Sequence, residues 1–204
     1  KRAKGFMDVV AYSGTGSATT VAHSLSVAPE LLICKRRSAA EDWTVWPSAG
    51  NFLNLNTSDA INVASSNIWN LTDPTSTVFS VGTSSRVNSS GHTYIAYLFA
   101  TLAGISKVGN FVGNGSSQTI SCGFSAGSRY ILIKRTDAVG DWYFWDSLRG
   151  IVAGNDPHLS LNTSAAQVTN DDSVDPHNSG FIVNQVSATN INVSSGTYIF
   201  YAIA

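Results

Sequence analysis

Charged side chains are scarce in this chain. Asp, Glu, Lys and Arg make up 12% of its 204 residues and nearly cancel, to a net charge of −1. An ordinary globular domain carries about 25% charged residues. No basic stripe predicts nucleic-acid binding, and no acidic tail predicts a cationic partner. Serine, threonine and asparagine supply the polar surface instead, which is typical of extracellular β proteins.

Long apolar runs and cysteines are scarce as well. No run approaches the roughly 20 residues that a membrane-spanning helix needs, so we expect no membrane partner. The two cysteines, Cys34 and Cys122, lie at different places in the repeated segments described next, so we expect two buried free thiols rather than a disulfide. The four histidines have no ligand spacing, so we expect no metal site and no cofactor.

What the chain does contain is an internal repeat. Residues 14–48 align without a gap to residues 113–147, at an offset of 99, and 12 of the paired residues are identical, two tryptophans among them. Chance rarely repeats tryptophan at matched spacing. A period near 100 residues is too long for a solenoid and fits one small domain written twice.

The second half of the repeat agrees more loosely. Residues 52–58 resemble residues 158–164 at an offset of 106, and residues 93–97 resemble residues 197–201 at an offset of 104. The drifting offset places insertions in Ser/Asn/Asp-rich loops, which tolerate length changes because they lie on the surface. We predict two domains, residues 1–102 (copy one) and residues 103–204 (copy two).

The local pattern is that of β-strands. Residues 31–34 and 130–133 are short apolar runs that predict strands covered on both faces. In each copy a five-residue loop then leads to an aromatic strand, which predicts a hairpin. Across this hairpin Lys35 should face Trp43, a cation–π geometry worth about 0.5–1 kcal/mol.

Further strands complete each copy. Residues 78–81 and 181–183 are predicted to begin a later hairpin, and residues 94–99 and 198–203 to close the two copies. Strands at this spacing, with Gly/Ser/Asn turns, predict an all-β fold of two tandem, mutually similar antiparallel β-sandwich units.

The same segments carry a resemblance to a known family. They are residues 8–16, residues 27–31 with Lys35-Arg36-Arg37, residues 88–91 before residues 93–97, and residues 140–143. In this order, and over essentially the whole chain, they resemble a tandem-repeat domain of unknown function found in predicted structural proteins of marine bacteriophages. The resemblance implies a β-rich virion component such as a tail fibre, head fibre or capsid decoration. It supplies no catalytic residues.

Tryptophans beside aspartates are the candidates for ligand binding, because aromatic faces with nearby carboxylates suit sugar rings. The candidate residues are Trp43, Trp46, Trp142, Trp145, Asp42 and Asp141. Trp43 and Trp46 lie an odd number of residues apart on one strand, so they point to opposite faces, and one of them can belong to the core. The alternative is that most of these tryptophans pack and that the aspartates anchor the hairpins.

No pattern predicts catalysis. Acid–base chemistry needs two carboxylates, or a carboxylate and a histidine, in one cleft, and the sequence indicates no such pair. Residues 170–175 contain three aspartates that could supply oxygens to Ca²⁺, but they lack the spaced order of a calcium loop. We expect a solvated turn there.

These observations predict a non-enzymatic structural component of a bacteriophage virion, a fibre or capsid-decoration module on the virion exterior. Its expected partners are copies of itself in a homo-oligomer such as a trimer, other virion proteins and host glycans, but neither nucleic acid nor a membrane. The alternative is a carbohydrate-binding module that attaches a larger protein to polysaccharide. An enzyme that cleaves surface polysaccharide is the least favoured hypothesis.

Overall fold

A computed structural model describes residues 2–47, 50–63 and 65–204. Its elements are β1 (Met7–Ser13), β2 (Thr19–Ala22), β3 (Leu31–Arg36), β4 (Trp43–Trp46), β5 (Leu53–Asn54), α1 (Ser66–Trp69), β6 (Val78–Val81), β7 (Thr93–Phe99), β8 (Ser106–Val112), β9 (Gln118–Ser121), β10 (Tyr130–Arg135), β11 (Trp142–Asp146), β12 (Leu159–Ser160), β13 (Val174–His177), β14 (Gly180–Val183) and β15 (Thr197–Ile203). The all-β prediction is confirmed. Among the described residues α1 is the single helix, and none is long and apolar enough to cross a bilayer.

The chain divides into two compact units. Unit 1 comprises Lys1–Asn56 and Ile61–Thr101, and unit 2 comprises Thr57–Ala60 and Leu102–Ala204. The boundary after Thr101 lies beside a short bridge between Leu102 and Ser106, where β8 begins. Unit 2 therefore contains four residues, the Thr57–Ala60 segment, that lie within copy one of the sequence.

Unit 1 has two antiparallel sheets, one with the order β1-β7-β3-β4-β5 and one formed by β2 and β6. Their facing side chains share one core. From the larger sheet it includes Leu32, Cys34, Trp46, Tyr94, Ala96 and Leu98, and from the smaller sheet Val21, Phe79 and Val81. The burial of β7 alternates along the strand, as one-sided packing requires.

Unit 2 also has two antiparallel sheets, ordered β12-β11-β10-β15-β8 and β13-β14-β9. By the sequence alignment, its larger sheet follows the same order as that of unit 1. The core includes Ile131, Ile133, Trp145, Tyr198, Phe200 and Ala202 from the larger sheet, and Ile120, Val174, Phe181 and Val183 from the smaller one. The additional strand of unit 2 is β13.

The predicted apolar strands and hairpins are confirmed. All four residues of 31–34 are buried, as are residues 131–133. β3 pairs with β4, and β10 pairs with β11, through the expected short loops. Lys35 lies opposite Trp43 in the register, and its Nζ atom is 5.8 Å from the centroid of the indole.

The prediction of a later hairpin was wrong in both units. β6 pairs with the earlier strand β2, and β14 pairs with β13 and β9. After β6 the chain forms turns instead of a partner strand. These turns are fixed by Tyr94, whose hydroxyl donates to Ser85 O at 2.8 Å and accepts from Ser89 N at 2.8 Å. The hydroxyl of Tyr198 does the same with Asn190 O and Val193 N.

Two buried asparagines hold the glycine turns that open the units. Asn88 Oδ1 accepts from Thr15 N at 2.8 Å, and its Nδ2 donates to Ser17 O and Gly82 O, both at 2.7 Å. Gly16 in this turn has φ +77°, a conformation that glycine adopts at little cost. In unit 2, Asn192 replaces Asn88 and makes the corresponding bonds. Gly14-Thr15-Gly16 and Gly113-Asn114-Gly115 thus both lie in turns.

The two cysteines are free and buried, as expected. Burial raises the pKa of both thiols to about 12. The Sγ atom of Cys34 lies 3.0 Å from the hydroxyl of Tyr12, inside the core of unit 1.

Candidate functional site: the Asp-Trp hairpins and the loops beside them

The six predicted ligand-binding residues all lie at the β3–β4 and β10–β11 hairpins, but most of them are not available to a ligand. Trp46, Trp142 and Trp145 are 8%, 1% and 0% exposed. Trp43 is partly exposed, and its ring stacks on that of Tyr97 at 6.4 Å between centroids. Among the four predicted tryptophans, Trp43 alone therefore presents an accessible indole.

The two aspartates are partly exposed. Each accepts a hydrogen bond from an asparagine later in the chain, and that asparagine also binds a backbone amide of the hairpin. Asn56 Oδ1 accepts from Trp43 N at 2.9 Å, while its Nδ2 donates to Asp42 Oδ1 at 2.9 Å. Asp42 also forms an ion pair of 2.9 Å with Arg86. Each Asp-Trp pair thus fixes the start of the loop that follows β5 or β12.

Unit 2 repeats this clamp with the same atoms. Asn162 Oδ1 accepts from Trp142 N at 2.9 Å, and its Nδ2 donates to Asp141 Oδ1 at 2.8 Å. Leu161 N donates to Trp142 O at 2.9 Å, as Leu55 N does to Trp43 O. The two loops therefore leave their own hairpins in the same way.

A lysine on each hairpin has a different environment in the two units. Lys134 is 0% exposed, and its ammonium donates to Gly140 O and, at 3.0 Å, to Ser58 O. Gly140 N donates to the same Ser58 carbonyl at 2.9 Å. Burial lowers the pKa of Lys134 to about 8, although the nearby carboxylates of Asp141 and Asp59 oppose this shift. The Thr57–Ala60 segment thus supplies the acceptor for a buried lysine.

A second group of buried polar side chains lies in unit 2. Asp156 accepts from Val152 N at 3.1 Å and Val174 N at 3.0 Å, and burial raises its pKa to about 7. His158 Nδ1 lies 3.6 Å from Asp171 Oδ1, and burial lowers the pKa of this histidine.

The solvated turn predicted for residues 170–175 was therefore wrong in its central part. Asp171 and Ser173 are buried, and Ser173 Oγ donates to Asp171 Oδ1 at 2.7 Å. The reason is that Val174 begins β13 and lies in the core, which draws the preceding residues inward. Among the described residues no three His, Cys, Asp or Glu side chains are grouped to hold a metal ion.

The sequence of this chain matches a known protein family. All residues, 1–204, match the family described as "Domain of unknown function (DUF7483)". The chain belongs to this family. No curated protein and no solved structure gives a significant match. The family description names no activity, so a function for this DUF7483 domain has to be argued from its own side chains.

The DUF7483 domain also has a surface hollow of about 580 Å³ in unit 2. It is lined in part by Phe124, Pro176, His177 and Ser179. His177 Nδ1 lies 3.0 Å from Ser179 Oγ and accepts from Ser179 N at 3.3 Å. These contacts join residues two apart in the turn between β13 and β14, so they stabilise the turn.

Sequence reasoning missed Ser58, Lys134 and the Asp156 group. One signal was available for the first two, because the sequence Leu-Asn-Thr-Ser occurs unchanged at residues 55–58 and 161–164, beside a hairpin that also repeats its lysine. No comparable signal marks Asp156, whose counterpart at the offset of 106 is a glycine.

Proposed function

We propose that this chain is a non-enzymatic structural module of a bacteriophage particle, a fibre or capsid-decoration component on the virion exterior. The observation that carries the proposal is the use of the repeated polar and aromatic residues. The asparagines beside Trp43 and Trp142 hold backbone groups, the aspartates bind those asparagines, and Trp145 fills a core. Repeated side chains that build a scaffold favour a structural role.

The supporting observations come from the arrangement of the chain and from the sequence. Two β-sandwich units, each with its own core, follow one another with the same strand order in their larger sheets. Their surfaces are rich in hydroxyl and amide groups and poor in charge. The phage origin and the exterior location rest on the resemblance to predicted phage structural proteins.

Purified particles test this proposal directly. Antibodies raised against the chain should label the outside of intact, DNA-filled particles in electron micrographs, and the chain should sediment with those particles in a density gradient. An antibody against an internal particle protein is the control, since it should label only opened particles. Recovery of the chain solely from the particle-free fraction would contradict the proposal.

A second candidate function, carbohydrate binding, is favoured by one observation. The partly exposed indole of Trp43, backed by the ring of Tyr97 and next to the ammonium of Lys35, is a surface on which a sugar ring could stack. Affinity electrophoresis in gels that contain candidate polysaccharides tests it. Trp43→Ala should abolish any retardation and Trp43→Phe should keep part of it, whereas equal mobility of all three proteins in every gel would remove this candidate.

A further inference from the structure

The β3–β4 and β10–β11 hairpins are equivalent in sequence but differ in which other segments of the chain contact them. In unit 2 the carbonyl of Ser58 accepts hydrogen bonds from Lys134 Nζ and Gly140 N. The corresponding groups in unit 1 are Lys35 Nζ and Glu41 N. Lys35 is partly exposed and donates to Glu41 O. Among the described residues, Lys35 Nζ has no second hydrogen-bond acceptor, and Glu41 N donates to no acceptor.

The loop that corresponds to the Thr57–Ala60 segment is free. Residues 163–166, called the 163–166 loop, are all exposed, whereas Thr57, Ser58 and Ala60 are partly buried. Leu161, just before this loop, is 42% exposed. The Asn162 clamp holds the loop beside its own hairpin as Asn56 holds the earlier one. In the described part of the chain, the β3–β4 hairpin therefore has no segment that corresponds to Thr57–Ala60, and the 163–166 loop covers no hairpin.

We propose that the 163–166 loop of one chain binds the β3–β4 hairpin of a second copy of this chain. The carbonyl of Ser164 accepts hydrogen bonds from Lys35 Nζ and Glu41 N there, as the carbonyl of Ser58 does from Lys134 and Gly140. The inference deepens the proposed structural role by naming the partner. It rests on that role for its biological meaning and on the contacts of Ser58 for its geometry.

The symmetry of the association follows from the two different surfaces. The loop and the hairpin lie at different places on the chain, so each bound copy leaves one loop and one hairpin free. If these bind further copies, the result is an open filament, or a ring if the rotation closes; if they bind each other, it is a two-fold dimer. The contact lacks one carboxylate, because Ala165 stands where the earlier segment has Asp59. It is therefore weaker than the contact within the chain, and reversible.

Sedimentation velocity of the whole chain tests the proposal over about 10 μM to 1 mM, where weak contacts associate. The sedimentation coefficient of the unchanged chain should rise continuously with concentration. Lys35→Met removes the ammonium, and Ser164→Arg places a bulky cation opposite Lys35. Each should weaken association about tenfold or more. The matched controls, Lys4→Met and Ser125→Arg, change exposed residues elsewhere and should leave association unchanged.

A mixture of the two variants gives the sharpest result. Lys35→Met keeps its loop and Ser164→Arg keeps its hairpin, so each mixed pair forms one intact contact. The mixture should therefore form dimers joined by one contact, which neither variant should form alone. If Lys35→Met lowers the melting temperature, Ser164→Arg, in an exposed loop, decides the test alone.

Two outcomes overturn the inference. One is that the unchanged chain stays monomeric at the highest concentration. The other is that both variants associate as strongly as the unchanged chain. In the second case the chain still assembles, so the structural role survives through another surface. Failure of the antibody to label particles removes the virion role but leaves this contact standing, so the two failures are distinguishable.

Discussion

Lys35 and Lys134 belong to the same repeated hairpin, yet one is partly exposed and the other fully buried. Both donate to a carbonyl of their own hairpin, at Glu41 and Gly140. Lys134 also donates a hydrogen bond to the carbonyl of Ser58, which comes from a distant part of the sequence. The local sequence therefore determines the hairpin, whereas the neighbouring segment decides whether its lysine is buried.

The units also differ in the segment between the first hairpin and the later strand of the smaller sheet. Unit 1 fills this region with α1, which buries Ile68 and Trp69. Unit 2 has β13 there, together with the buried group around Asp156 and His158. The same sheet order thus tolerates an apolar filling in one unit and a hydrogen-bonded polar filling in the other.

Replacing Trp142 should lower the free energy of unfolding more than any other change, and more than replacing its counterpart Trp43. Trp142→Ala should lower the free energy of unfolding by about 3–5 kcal/mol, because it empties a fully buried position. Trp43→Ala should cost clearly less, because its indole already contacts solvent on one side. Urea denaturation of both variants measures the two losses. Equal losses would show that the hairpins are covered alike.

The hairpins were predictable because their signals are local. An apolar run, a short loop and an aromatic strand determine the pairing of β3 with β4, and the register then sets Lys35 opposite Trp43. Burial of Trp142 and Lys134 was not predictable in the same way. For Lys134 it depends on the Thr57–Ala60 segment, which no window around β10 or β11 contains.

The polar group of unit 2 shows the other limit of sequence reasoning. Aspartates and a serine in a row at residues 171–173 have the composition of an exposed turn. Their backbone carbonyls accept from Asp156 N and Asn184 N, and Asp171 lies beside His158; these groups become neighbours only when the chain folds. Likewise, β6 pairs with β2, a strand much earlier in the chain, while the hydroxyl of Tyr94 holds the residues that follow β6 in turns.

A smaller effect should be the same in both units. Asn88→Ala and Asn192→Ala each leave buried backbone groups of a glycine turn without a partner, so each should cost about 1–3 kcal/mol of unfolding free energy. Thermal and urea unfolding of the two variants provide the measurement. Asn155→Ala, which changes an exposed asparagine, is the control. A large difference between Asn88 and Asn192 would mean that the turns are not equivalent.

The next prediction concerns the acid side of the pH range and unit 2 alone. Because burial raises the pKa of Asp156 to about 7 from its ordinary 3.8, the folded chain binds this proton more tightly than the unfolded chain. The contribution to stability is present below about pH 4 and is lost as the pH rises to about 7, by at most about 1.4 kcal/mol per pH unit.

Asp156→Asn should remove this loss, which the unfolding free energy measured between pH 4 and 7 will show. Asp172 and Asp175 strengthen the effect through repulsion, while His158 opposes it, because its lowered pKa costs stability as the pH falls. Asp73→Asn, in unit 1 and exposed, is the control. A pH profile that is the same for Asp156→Asn and the unchanged chain would contradict the assignment.

The last comparison returns to the two lysines. Burial lowers the pKa of Lys134 to about 8 from its ordinary 10.5, so in this window the unfolded chain holds the proton that the folded chain has released. Stability from this group therefore rises with pH between about 8 and 10.5, by less than about 1.4 kcal/mol per pH unit. Lys134→Met should flatten that rise in urea-unfolding measurements, and Lys35→Met should keep it. If Lys134→Met keeps the rise, then the Ser58 carbonyl and its neighbours do not desolvate the ammonium, and the contact from which the second-copy association is inferred does not bury its lysine in solution.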